Sequence, residues 1–208
     1  GVGWETVAAA IKDGFDVVAM IRNEDQRSDL EGMGAKVVIA DAFDAASTAS
    51  AIAETSPDSI VCAIGSKPGD ERRVDYEGTK TLVEGAKASG TKRFLLVTSF
   101  GCRETRGTIP PGLLEKIGAA LAEKDKAEDY IEASGLDWTI MRPGGLGTDP
   151  ASGTAILTES GDVMGGINRA DVAALIISCL KSDKTIGRTL GAIDTQKVRA
   201  GEPVPFAI

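Results

Sequence analysis

The strongest constraint on this chain is an alternation. Short apolar runs stand at 15–21 (FDVVAMI), 36–40 (KVVIA), 60–64 (IVCAI), 93–98 (RFLLVT) and 138–141 (WTIM). Runs of this length, rich in Val, Ile and Leu, read as strands buried on both faces. Between them lie longer stretches with helical spacing, at 4–12, 24–33, 44–54, 75–89, 114–133 and 169–180. Gly14 and Gly34 follow two of these as C-caps and Asp44 precedes a third as an N-cap. Buried strand followed by helix, repeated, builds parallel βαβ units with right-handed crossovers. The expected fold is therefore α/β, a doubly wound parallel sheet with helices on both faces, in a single domain spanning 1–208. Aromatic residues are only 4% of the chain, so the helix–sheet contacts must be made by Val, Ile, Leu and Ala. A last strand is expected at 189–193 and a short β-like stretch at 154–158.

Several functions are set aside by residue content. A net charge of -8 argues against a nucleic-acid partner or an anionic membrane surface. The absence of histidine removes the commonest general base and transition-metal ligand, so no metal site is expected. Cys62, Cys102 and Cys179 are odd in number and far apart, which fits reduced thiols in a reducing intracellular compartment, cytoplasm or plastid stroma. No apolar run reaches the length of a transmembrane helix.

The candidate chemistry gathers where strands end. Gly1-Val2-Gly3-Trp4 leads straight into the first helix. Glycines at such a turn let backbone approach a pyrophosphate, whose charge the helix N-terminus stabilises. A dinucleotide fold places a central strand before that turn. Without one, the runs 15–21 and 60–64 would each expose a sheet edge. The expectation is thus that a first strand, with its turn about ten residues, is missing upstream of Gly1 and belongs between those two runs. Arg22 follows the run 15–21 at the point where an acid would hold a ribose 2′-hydroxyl; a guanidinium there suits a 2′-phosphate instead. Asp41, Gly65, Ser66, Thr98 and Ser99 also follow apolar runs, at the strand ends where open α/β sheets bind ligands.

Taken in order, VVAMIRN, VVIADAFD, VCAIGS, VDYEGTKTLVEGAKASGTKRFLLVTSFG, KAEDYIEASGLDWTIMRPGGL and INRADVAALI resemble the signature segments of the atypical short-chain dehydrogenase/reductases. The similarity is to their single-domain NAD(P)H-binding members, the NmrA-like and the biliverdin-IXβ and flavin reductase-like proteins. It implies a Rossmann-type fold and NADP(H) as cofactor. By position it implies that Gly1 and Gly3 contact the pyrophosphate and Arg22 the 2′-phosphate. Asp41 and Ala42 would lie near the adenine, and Ala63 and Gly65 beneath the ribose. Thr98 and Ser99 would face the nicotinamide side, with Pro143, Gly144 and Gly145 bordering its pocket. Active members carry Tyr-x-x-x-Lys. Lys124 matches the lysine, but Ala120 stands where the tyrosine should be. Tyr130, six residues beyond Lys124, falls at another angle and further along the helix. Ser99 and Lys124 are then the catalytic candidates, with Lys124 also a ribose ligand.

Two functions compete. One is an NADPH-dependent reductase of a small conjugated acceptor of flavin, quinone or tetrapyrrole type, its proton supplied by water. The other is a non-catalytic NADP-binding module that regulates or scaffolds a protein complex, which the missing tyrosine favours. A domain that has lost its nucleotide is a third reading. Residues 144–166 carry seven glycines, and the segment Leu146 to Ile167, with Gly147, Gly153, Gly161, Gly165 and Gly166, follows a late strand and is expected to act as a mobile flap over the nicotinamide end.

Overall fold

The computed structural model describes residues 1–67 and 69–208. The chain runs α1 (Val2–Lys12), β1 (Val18–Ile21), α2 (Arg27–Met33), β2 (Lys36–Ile39), α3 (Ala45–Thr55), β3 (Ser59–Cys62) and α4 (Val74–Ser89). It continues with β4 (Arg93–Val97), α5 (Pro111–Glu132), β5 (Asp137–Pro143), β6 (Gly145–Gly147), β7 (Ala155–Thr158) and β8 (Met164–Asn168). Then come α6 (Arg169–Leu180), β9 (Arg188–Asp194) and β10 (Val198–Ala200).

Strands β3, β4, β5 and β9 are parallel neighbours in that order, and β7 closes the far edge antiparallel to β9. β1 and β2 form a separate parallel pair. The expected adjacencies, 15–21 beside 36–40 and 60–64 beside 93–98, are both present and parallel. No described strand lies between β1 and β3, and no ladder joins them.

The period-2 pattern of β4 explains the layering. Leu95 and Val97 pack with Met141, Val172 and Ile176 under α6, while Phe94 and Leu96 pack with Val83, Ala86, Ala127 and Ile131 under α4 and α5. Helix α1 lays Trp4, Val7 and Ile11 over Ala19, Leu30 and Ala35. Asp44 caps α3 by accepting from Ala46 N and Ser47 N, and Gly34 ends α2 at φ 106°, a left-handed turn that favours glycine.

Boundaries moved for local reasons. β1 begins at Val18 rather than Phe15, since exposed Asp16 lies before the ladder. β3 covers 59–62 rather than 60–64, because its ladder with β4 ends at Cys62 opposite Leu96. α5 starts at Pro111, three residues early, with proline at the first helical position where its missing N–H costs nothing.

The segment 144–166 contributes three strands, β6, β7 and the start of β8. β6 pairs with β8, and β8 with β10, in a small three-stranded sheet, while β7 joins the main one. Its glycines serve close approach. A Cβ on Gly165 would lie 2.6 Å from Lys197 O, and one on Gly144 would lie 2.8 Å from Gly165 O. Asp171 of α6 accepts from Ser152 N and Gly153 N, and Asn168 Nδ2 donates to Pro150 O, which tethers the loop before β7. At Gly144 and Gly165 the missing Cβ is what permits this approach, while Gly153 takes a left-handed turn at φ 73°. Beyond β7 the C-terminal residues run along its outer edge, with Phe206 N donating to Leu157 O and Pro205 bridged to Thr158.

Candidate functional site

β1 and β2 are parallel, as are β3, β4 and β5, and an added Cβ on Gly78 would touch both Ala42 after β2 and Ile64 after β3, so the ends of the two sets lie close together. Arg22 follows β1, Asp41 and Ala42 follow β2, Ala63 and Gly65 follow β3, Thr98 and Ser99 follow β4, and Pro143 to Gly145 end β5 and begin β6. Gly1 is the N-cap of α1, and no side chain caps that helix, so its first N–H groups are free for an anion. A Cβ on Gly3 would lie 4.0 Å from Ala63 Cβ, which brings the start of α1 to the end of β3. An open depression of ≈ 460 Å³ lies beside Gly1 and Glu5, rimmed by Thr148, Asp149, Pro150 and Arg169. It sits on the α6 side of Gly1, away from Ser99 and Lys124.

The individual residues differ in how much of their chemistry is still available. Arg22 is exposed and makes no ion pair among the described residues, whereas Arg27 is engaged by Glu24 and Glu31. Asp41 uses its side chain locally, accepting from Phe43 N at 2.9 Å, and Ala42 is buried against α4. Thr98 donates its hydroxyl to Glu128 Oε1 at 2.6 Å, so that group turns toward α5. Ser99 Oγ donates to Phe100 O at 2.8 Å. Phe100 N donates to Pro143 O at 3.0 Å and Gly144 N to Ala192 O at 2.9 Å, fixing the backbone around the expected nicotinamide wall.

Lys124 is not a solvated surface lysine. Its side chain is 17% exposed, and Nζ lies 2.7 Å from Asp75 Oδ1, whose side chain is 1% exposed. Asp75 Oδ2 accepts from Ser66 N at 3.1 Å and Ser66 Oγ at 2.6 Å, and Val74 N donates to Ser66 Oγ at 2.9 Å. Burial pushes the Asp75 carboxyl upward, but the Lys124 charge and the Ser66 hydrogen bonds outweigh it and hold the group below the ordinary value. A Cβ on Gly65 would meet Asp75 Oδ1 at 3.4 Å and Lys124 Nζ at 3.6 Å, so the pair lies directly over that glycine.

One turn beyond Lys124, Glu128 is fully buried between Thr98 and Arg142. Arg142 also reaches Glu104, in the 3₁₀ turn Arg103–Thr108 that follows β4. Arg142, Asp75 and this bracing role of Glu128 were not anticipated. The clue was an arginine inside the buried run DWTIMRP, which requires a partner acid.

Tyr130 donates its hydroxyl to Glu84 Oε1 at 2.9 Å and meets Tyr76 edge-on at 6.1 Å. Burial and the Glu84 charge push the phenol up to about 12. Its hydroxyl is directed to α4, in keeping with its rejection as a substitute for the missing tyrosine. The three cysteines are free and buried. Burial raises all three thiols, Cys102 to about 12 and Cys179 to about 11, which leaves them poor nucleophiles.

A parallel sheet with helices on both faces, an uncapped helix N-terminus at the strand ends and a border of small residues define a Rossmann-type nucleotide-binding protein. The chain belongs to the NAD(P)H-binding family, whose model matches residues 1–183. It is 32% identical over 174 residues to the uncharacterized sugar epimerase YhfK of Bacillus subtilis, covering 82% of this chain and 78% of that one. The solved structure of ChuY from Escherichia coli O157:H7, described as an anaerobillin reductase, is 31% identical with a TM-score of 0.85 over 96% of this chain and 95% of that one. The chloroplastic Protein TIC 62 of Pisum sativum is 33% identical over 168 residues, 70% of this chain but 31% of that longer protein. Among the described residues no helix is long and apolar enough to cross a membrane.

Proposed function

We propose that this chain is an NADPH-dependent reductase of a small conjugated acceptor, of tetrapyrrole, flavin or quinone type. The observation that carries the reading is the likeness to ChuY along nearly the whole length of both chains, since that protein is described as an anaerobillin reductase. When bound, the dinucleotide supplies the reducing equivalent. The protein's part is to bind and orient it. Gly1 and Gly3 at the start of α1 receive the pyrophosphate, and Arg22 pairs with the 2′-phosphate. Asp41 and Ala42 flank the adenine, with Ala63 and Gly65 under the ribose. Lys124 donates to the ribose hydroxyls. Ser99, with the backbone at Thr98, Pro143, Gly144 and Gly145, forms the nicotinamide wall. Ala120 supplies no proton; a conjugated ring system, whose charge is delocalised on reduction, can take its proton from water.

The test is NADPH oxidation followed against a panel of linear tetrapyrroles, flavins and quinones. Turnover well above the uncatalysed rate with one class is the expected result. Tight NADPH binding without turnover on any of them would select the second reading, a nucleotide-binding module working inside a protein complex. Ala120 favours that reading, as does the match to 31% of a longer chloroplastic protein. Either role is consistent with the three free thiols in a reducing compartment, cytoplasm or plastid stroma.

A further inference from the structure

Asp75 has no part among the roles assigned by position, yet it occupies the junction of three segments. It lies in the first turn of α4, takes two hydrogen bonds from Ser66 beyond β3, and pairs with Lys124 of α5 at 2.7 Å. Its Oδ1 receives no hydrogen bond of ordinary geometry among the described residues, so the Lys124 ammonium is what answers that oxygen.

The geometry points to Asp75 as the positioning residue for Lys124. Its carboxylate holds the ammonium over Gly65 and so fixes how the remaining lysine donors meet a bound dinucleotide. This rests on the NADPH-binding reading above.

Three physical arguments support the assignment. A lysine side chain is a flexible stem carrying a point charge with three donors, and immobilising it on ligand binding costs affinity. Asp75 is itself immobilised by Ser66, so the ordering of Lys124 is completed when the protein folds. Second, the lysine's usual neighbour is gone. Ala120 provides no hydroxyl one turn away, and Asp75 is the group that meets the ammonium among the described residues. Third, stability is a weak account of such a pair, because a buried ion pair is often no better than apolar residues of the same volume. A neutralised ammonium also suits a neutral ligand group. It keeps its donors for hydroxyls, such as the vicinal diol of a ribose, without presenting a net charge that would compete for phosphate.

The test is a double-mutant cycle read by NADPH affinity in fluorescence titration, with thermal melts on every variant. Asp75→Asn and Lys124→Met are each expected to raise the NADPH Kd about tenfold, the size of one charge-assisted hydrogen bond. The double variant is expected to bind no more weakly than Lys124→Met alone. Asp75→Glu should recover part of the loss. Ser66→Ala keeps both charges and loosens only the tether, so it should raise Kd about threefold with Lys124 present and leave it unchanged with Met at 124. This second cycle stands in if Asp75→Asn does not fold. Equal losses from Asp75→Asn or Ser66→Ala in both backgrounds would overturn the assignment, as would a fall in melting temperature with no change in Kd. A wild type that binds neither NADPH nor NADH would overturn the cofactor reading itself, which separates the two failures.

Discussion

Arg142 of β5 and Glu128 of α5 meet in full burial, with Nε 3.0 Å from Oε1 and Nη2 2.6 Å from Oε2. Their side chains are 3% and 0% exposed. The pair ties the helix that carries Lys124 to the strand that ends at Pro143, and through Thr98 it also holds the end of β4.

Breaking this pair from one side should be severe. Arg142→Met leaves the buried Glu128 carboxylate with the Thr98 hydroxyl and the longer Arg103 pair at 3.9 Å, and the expected loss is about 3 kcal/mol in denaturant unfolding. Replacing both, as Glu128→Leu with Arg142→Met, should recover most of it. A double variant as unstable as the single one would mean that Thr98 and Glu104, and not the pair itself, dominate the network.

Cofactor choice should turn on Arg22. The side chain is exposed and not paired among the described residues, so its contact with a 2′-phosphate is partly screened. Arg22→Ala should weaken NADPH binding by about 1–2 kcal/mol, roughly 5- to 30-fold, and hardly alter NADH. Titration of both dinucleotides at one ionic strength decides it. Equal losses for the two would make Arg22 structural, and a wild type preferring NADH would remove the NADP assignment.

Two glycines should respond to alanine with opposite sign. Gly191 lies against the Phe100 ring, whose Cε2 would be 3.0 Å from an added Cβ, so Gly191→Ala should cost about 1–3 kcal/mol and loosen the turn at Ser99. Gly118 lies inside α5, where an added Cβ makes only an ordinary contact with Leu114 at 3.7 Å. Gly118→Ala should therefore stabilise by about 0.5–1 kcal/mol. Thermal melts of both variants check the pair of signs.

Acid should unfold the protein partly through Asp75. Its carboxyl is held below the ordinary 3.8 in the folded state. The unfolded chain therefore takes up that proton first as pH falls. The contribution is complete above the unfolded value, near pH 4, and disappears as pH drops through the lower folded value. Asp75→Asn should show a shallower loss of stability over that interval than the wild type. Identical acid limbs would mean that the carboxylate is not depressed.

The parts of the fold legible in the sequence were those with a strong local signal. The apolar runs of β1 to β5 and the helices between them carry burial in their composition, and the caps Asp44 and Gly34 act within their own turns. The small sheet was not legible. β6 is Gly-Leu-Gly and β8 begins Met-Gly-Gly, sequences of low strand preference that are held by tertiary contact with Lys197, Val198 and Ile193. In the site, strand-end positions could be named because parallel strands finish on one side. The partners could not. Asp75 and Lys124 stand 49 residues apart in sequence, and Glu128 and Arg142 lie on a helix and a strand, so both pairings are properties of the packed elements.

The tail that lies along β7 has a consequence for how copies of this protein meet. An uncovered border strand offers a row of free amides and carbonyls on which a neighbouring chain can grow. Phe206 occupies one such carbonyl, at Leu157, while Pro205, bridged to Thr158, has no amide hydrogen to pass on, and Pro203 repeats that gap two residues earlier. Ladder extension therefore stops at the tail's outward side.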